Sequence, residues 1–171
     1  NMKNNMKSET KRIIILEELG FKVEKRKLSN NKVGDLFIKL YKYNEIWIYV
    51  FCLPETSIIS FEISSRSSST SFSINNFDFT KVEEVINKYL KTYYFISLVI
   101  EILNRKLPVF ITSSFVGDGG FSYCAKGVSK TLIFHKDAFK IGNYWYKYPI
   151  WNDGKDIIKK AKRFADFACR S

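Results

Sequence analysis

Residues 80–108 read TKVEEVINKYLKTYYFISLVIEILNRKLP, and this stretch decides the fold. Val82, Ile86, Tyr89, Tyr93, Ile96, Ile100 and Leu103 recur at the three- and four-residue spacing of one helical stripe, which predicts a long helix with an apolar face. Thr80-Lys81-Val82-Glu83 fits the capping box S/T-x-x-E, in which the Thr hydroxyl and the Glu carboxylate each take up a backbone N–H left free at a helix start. Leu107-Pro108 stops the helix, because proline disfavours helical backbone in the residue before it. Aromatic and β-branched residues crowd 92–95 and lower helix propensity there, so a break in this longest helix could fall at that point.

Toward the N terminus the period changes from 3.6 to 2. Residues 36–43 and 46–53 are β-rich runs separated by Tyr43-Asn44-Glu45, and Phe21 and Val23 alternate with charges ahead of a Ser29-Asn30-Asn31 turn. Three antiparallel strands are the economical reading. Pro54 ends that run, and Ile59, Phe61 and Ile63 then alternate with polar residues as a half-buried strand does. A serine-rich stretch, 64–73, interrupts before Phe72 and Ile74 resume the pattern; it reads as a hairpin tip, with an interdomain linker as the other reading. A short helix precedes the strands, with Ser8 as its N-cap, apolar residues at 13–16 and Leu19, and Gly20 as a left-handed stop.

Toward the C terminus the chain returns to strands at 109–116, 121–126, 130–135 and 139–148. Gly117-Asp118-Gly119-Gly120 supplies the positive-φ positions of a tight hairpin between the first two. A closing helix runs from about 154 to 169, N-capped by Asn152 or Asp153, with Ile157, Ile158, Ala161, Phe164, Ala165 and Ala168 facing inward. This order predicts an α+β fold of mostly antiparallel sheet(s), with an N-terminal helix, a long central helix and a basic C-terminal helix. The 171 residues are expected to form one α+β domain, 1–171, and a two-lobe division would fall near 105–108. There is no residue-level repeat, although both halves run strands and then helix.

With 46% hydrophobic and 26% charged residues, the chain is neither disordered nor fibrous in type. Cys52, Cys124 and Cys169 form no Cys-x-x-Cys pair and read as reduced thiols. The longest apolar runs, 46–53 and 93–103, are too short or interrupted to span a bilayer, and residues 1–5 hold no signal-peptide h-region. The expectation is a cytoplasmic protein without a membrane span.

Lys and Arg number 28 against 17 Asp and Glu, a net charge of +11 that favours polyanionic partners. Only Arg12, Arg26, Arg66, Arg105, Arg163 and Arg170 are arginines, and Lys, Asn, Ile, Phe and Tyr all have AT-rich codons, so part of the charge is compositional. The distribution is more informative than the sum. Residues 1–105 carry 16 basic and 12 acidic side chains, net +4, whereas 106–171 carry 12 and 5, net +7. In this last third Lys126, Lys130, Lys136, Lys140 and Lys147 punctuate strands that also hold Tyr123, Tyr144, Trp145, Tyr146, Tyr148 and Trp151. In a strand Tyr144, Tyr146 and Tyr148 share one face, with Trp145 and Lys147 on the other. Aromatics on a basic sheet face stack unpaired bases while lysines track phosphates, and Lys155, Lys159, Lys162 and Arg163 on the closing helix would extend that track. The competing reading is that the aromatic stripe is sheet core and the basic helix face merely solvated.

Catalytic groups are scarce. His135 has no nucleophile-and-orienter set in view, and its bland reading is a strand-edge histidine bonded locally or solvated. No metal site and no cofactor are expected. Residues 111–119, Ile-Thr-Ser-Ser-Phe-Val-Gly-Asp-Gly, resemble the signature of LAGLIDADG homing endonucleases. That resemblance implies Asp118 as a metal-binding acid, with Ser113 in place of a helix-packing glycine and Val116 in place of a second acid. Residues 18–51, through Leu19-Gly20-Phe21, Val23, Gly34-Asp35-Leu36 and the strand 46–51, resemble the front end of PD-(D/E)xK nucleases. Asp35 would then hold a metal, but the partnering acid and lysine fall on apolar and aromatic residues 47–51, which implies an inactive relative. The order of elements is also similar to the small type III secretion chaperone-like α+β fold, whose members bind protein.

The reading that results is a small basic non-enzymatic binding protein that contacts nucleic acid or a nucleoprotein complex through its C-terminal third. Two alternatives stand beside it: a protein-binding adaptor or inhibitor encoded by a phage or mobile element, and a degenerate relative of metal-dependent nucleases.

Overall fold

The computed structural model describes residues 2–27, 31, 33–66, 69–106, 111–116, 120–125 and 131–170. Three α-helices and ten strands lie among them, α+β in class, with every strand pair antiparallel. The chain divides into two compact units: unit 1 comprises Asn1–Ser64 and Ser69–Asn87, and unit 2 comprises Ser65–Ser68 and Lys88–Ser171.

Unit 1 begins with α1, Met2–Glu18. The helix starts before Ser8, which is an exposed interior residue rather than the N-cap. Its other end is as expected. Gly20 sits at φ +89°, its N–H bonds Glu17 O, and the Phe21 N–H bonds Leu16 O, each at 3.0 Å. This is the Schellman closure, and Leu16 and Phe21, both buried, make its apolar contact. The strands β1 (Lys22–Lys27), β2 (Val33–Tyr43), β3 (Ile46–Cys52), β4 (Ile58–Ser64) and β5 (Ser69–Asn75) then form a meander in sequence order. Asn44 turns β2 into β3 at φ +53°, a left-handed backbone that asparagine tolerates.

Alternation sets the register of that sheet. Ile46, Ile48, Val50 and Cys52 are buried, as are Ile59, Phe61 and Ile63 opposite them and Phe72 and Ile74 beyond. Arg12 of α1 reaches this layer: its Nη1 donates to Pro54 O at 3.0 Å, and its guanidinium lies 4.9 Å from the Phe79 ring centroid. Most of the serine-rich stretch is strand. Ser69, Ser71 and Ser73 are exposed positions of β5, and Ser64 pairs with Ser69, so the strands take in most of what reads as a hairpin tip. Cys52 is buried in the sheet, and burial pushes its thiol up to about 12, which makes it an inert core residue.

The central helix α2 spans Val82–Lys106 and is preceded by a 3-10 turn, Phe79–Lys81. The cap is Asp78, not Thr80: its Oδ1 accepts from the Thr80 backbone N–H at 3.0 Å and from the Thr80 hydroxyl at 2.8 Å. The helix does not break at 92–95. Residues 92–97 are all buried and Thr92 Oγ1 donates back to Lys88 O, so packing overrides weak local propensity. The stop at Leu107-Pro108 lies outside the described residues, as do Asp118 and most of its glycine-rich turn.

Unit 2 takes α2 from Lys88 onward, then a second meander of β6 (Ile111–Val116), β7 (Gly120–Ala125), β8 (Leu132–Phe134), β9 (Ala138–Ile141) and β10 (Tyr144–Lys147), and closes with α3, Gly154–Cys169. β6 and β7 pair antiparallel with Val116 opposite Gly120. Residues 139–148, expected as one strand, are instead a hairpin: Ile141 pairs with Tyr144, and Gly142 turns the chain at φ +59°. Aromatic residues on both sides of Gly142-Asn143 make the sequence look continuous through the turn. Asp153 caps α3, accepting from the N–H groups of Lys155 and Asp156 at 2.9 and 2.8 Å. The core of this unit is aromatic. Phe139 of β9 lies 4.9 Å from Phe164 of α3, 6.0 Å from Phe95 of α2 and 5.1 Å from Tyr148, centroid to centroid.

Candidate nucleic-acid interface

The division into units sharpens the charge asymmetry. Unit 1 carries 12 Lys and Arg against 11 Asp and Glu, net +1; unit 2 carries 16 against 6, net +10. The gain of three over the C-terminal third comes from Arg66 and from Lys88, Lys91 and Arg105 of α2, less Glu101.

Those two lysines line a cleft of about 480 Å³. One wall is the α2 face that carries Lys88, Lys91, Thr92 and Phe95, another is the β8–β9 loop with Lys136 and Asp137, and the third is segment 147–151. Two bonds hold the walls. The Tyr148 hydroxyl donates to His135 O at 2.6 Å, and Lys160 of α3 holds Ile150 O and, at 3.0 Å, the Asp156 carboxylate. Burial of Tyr148 among Phe95 and Phe139 pushes its phenol well above the ordinary value, so it stays protonated and donating.

The charges in the cleft are unequal in role. Lys88 pairs with Asp137 at 3.0 Å, and that bond raises its ammonium above the ordinary lysine value. Lys91 lies 5.6 Å from the Trp151 ring centroid, and Trp151 leans on Tyr94 at 6.1 Å. Lys136 and Lys147 have no acidic partner among the described residues. Ile150 stands 87% exposed at the rim, so the cleft combines a cationic mouth with an apolar side.

Of the residues singled out from sequence, Lys136, Lys147 and Tyr148 line this cleft, while Lys126 and Lys130 lie outside the described residues. Lys140 and Trp145 meet on the face of the second sheet that Lys147 shares: Lys140 Nζ is 5.7 Å from the Trp145 centroid, and the His135 ring is 5.2 Å from it. His135 is thus a locally packed loop histidine. The tyrosine face turns the other way. Tyr146 stacks on Phe139 at 5.6 Å and meets Phe164 and Phe167, Tyr148 packs on Phe95 and Phe139 and lines the cleft, and Tyr144 is 71% exposed.

Lys155, Lys159, Lys162 and Arg163 do form one exposed stripe on α3. They do not extend the Trp145–Lys147 face. α3 packs through Phe164 against the Phe139 side of the sheet, its stripe points away from that contact, and Trp145 and Lys147 occupy the opposite side of the sheet. The two basic features are therefore separate surfaces. Sequence reasoning counted Trp151 among the aromatics of the basic third but missed Lys88 and Lys91 as cleft residues; the signal was the i, i+3, i+4, i+7 face of Lys88, Lys91, Thr92 and Phe95, which reads as helix surface until the β8–β9 loop is placed against it.

Among the described residues no three His, Cys, Asp or Glu side chains are placed to hold a metal ion. Asp35 is exposed in β2, opposite Lys25 of β1, and the next strand offers it no acid. Among the same residues no helix is long and apolar enough to cross a membrane. No protein-family model, curated protein or solved structure matches the chain.

Proposed function

We propose that this chain is a nucleic-acid-binding protein without catalytic chemistry of its own and that unit 2 makes the contact. One observation carries the reading: unit 2 holds +10 of the +11 net charge, and three of its lysines, Lys91, Lys136 and Lys147, open onto a single cleft. Lysines that converge on phosphates release condensed counterions, which makes such binding steeply salt-dependent. The test is fluorescence anisotropy of labelled single- and double-stranded DNA and RNA over a salt series. Reversing Lys91, Lys136 and Lys147 to Glu is expected to lower the slope of log K against log salt by about 2, at ~0.7 per phosphate contact for a single strand. Reversing Lys22, Lys25 and Lys27 of β1 changes the net charge equally and is expected to leave most of the slope. Equal losses in the two variants would assign the attraction to overall charge and overturn the placement in unit 2.

A second reading, a protein-binding adaptor, is favoured by unit 1. The outer face of its sheet carries Trp47, Tyr49 and Phe51 along β3 beside Leu40 of β2, half-buried or exposed, in a unit of almost no net charge. A stoichiometric partner recovered with the wild-type protein and lost with Trp47→Ser and Tyr49→Ser would support it; recovery of the same partner by that variant would remove it.

A further inference from the structure

We propose that the cleft of unit 2 takes one unpaired nucleotide of a single strand, its base against Trp151 and its phosphates on Lys91, Lys136 and Lys147, with guanine favoured by the Asp137 carboxylate. This rests on the nucleic-acid reading above and specifies its ligand. A volume of about 480 Å³ suits a nucleotide-sized ligand and is too small for a base pair with its two backbones. The apolar side, Trp151 with Pro149 and Ile150, is what a base face needs, and stacking on an aromatic tolerates any base.

Asp137 is the informative residue. A carboxylate among four lysines repels phosphate, so a cleft for phosphate alone has no use for it. It is held in place: Oδ1 accepts from Lys88 at 3.0 Å and lies 3.4 Å from the Tyr89 hydroxyl. A carboxylate accepts N–H groups, and guanine presents two side by side, N1–H and the N2 amino group, on its Watson–Crick edge. In a duplex that edge is occupied, so only an unpaired or extruded base can offer it. Asp137 and the lysines thus read two parts of one ligand.

Anisotropy with labelled dT11, the same strand with one central dG, and the latter annealed to its complement tests this on the whole chain. The dG strand is expected to bind about 10-fold or more tighter than the duplex and several-fold tighter than dT11. Trp151→Ala is expected to cost the single strands about 10-fold and the duplex little, and Asp137→Asn to abolish the preference for dG. Because Trp151 also packs on Tyr94, an experiment without mutation stands beside these: guanosine monophosphate is expected to displace the dG strand at far lower concentration than inorganic phosphate. Equal competition by the two, or equal affinity for single strand and duplex, overturns the nucleotide site and leaves the phosphate-binding surface standing. No binding of any nucleic acid at low salt removes both.

Discussion

The two units are built to one plan and differ in what they display. Each runs helix, five-stranded antiparallel meander, helix, with α2 closing the first and opening the second. Unit 1 packs a mixed layer, Ile48, Val50, Ile59 and Ile63 with Phe37, Phe61 and Phe72, and is nearly neutral; unit 2 packs a cluster of rings around Phe139 and carries +10. A meander requires only that apolar residues alternate onto one face, and either core satisfies it. Ten excess positive charges are not needed for that architecture and repel one another within it. A near-neutral unit of the same plan shows the charge of unit 2 to be separable from its fold, which is the reason to look for a polyanion there.

The largest test of this contrast is in the cores. Phe139→Ala removes the ring shared by α2, α3 and β10 and is expected to cost about 3–5 kcal/mol in chemical denaturation, as is Phe61→Ala at the centre of the first sheet. Hydrogen exchange would locate each loss; deprotection of unit 1 by Phe139→Ala to the same extent as unit 2 would break the division. Next in size, reversing Lys155, Lys159, Lys162 and Arg163 to Glu separates the α3 stripe from the cleft. With the cleft as the site, this variant keeps its preference for dG while the salt slope falls; loss of the preference would place the base on α3 instead. Tyr148→Phe deletes the bond to His135 O and is expected to cost about 1 kcal/mol, with weaker strand binding because Lys136 and Lys147 lose their relative placement.

The smallest effect is a shared one. Asp78 is held below the ordinary aspartate value of 3.8 by its bonds to Thr80, and Asp156 by its bond to Lys160. A depressed carboxylate contributes stability that is present above its unfolded value and is lost as pH falls through its folded value. Both units are therefore expected to soften together below about pH 3.8, and Asp78→Asn together with Asp156→Asn to flatten that part of the stability curve measured by thermal melts from pH 5 to 2. An acid transition confined to one unit would show that the two carboxylates do not contribute equally.

Much of this molecule could be read along the chain. Period-2 runs located β2 to β5, the stripe from Val82 to Leu103 located α2, and Gly20 and Asp153 marked helix ends, because these depend on neighbours within a few residues. The α3 stripe was legible for the same reason. The turn at Gly142-Asn143 was not, since rings on both sides mask it, and the cap moved from Thr80 to Asp78 because a 3-10 turn precedes the helix and the Asp78 carboxylate takes up the Thr80 N–H and hydroxyl. The sequence by itself determined the α+β class, the order of elements and the excess of positive charge, all sums over local pattern. Tertiary structure alone decided which tyrosines are core, that Lys88 and Lys91 face Lys136 and Lys147 across a cleft, and that the α3 stripe lies on the far side of the sheet from Trp145. Those are relations between separate elements, about 45–60 positions apart in the case of the cleft lysines, and only the packing of helix on sheet brings such residues together or keeps them apart.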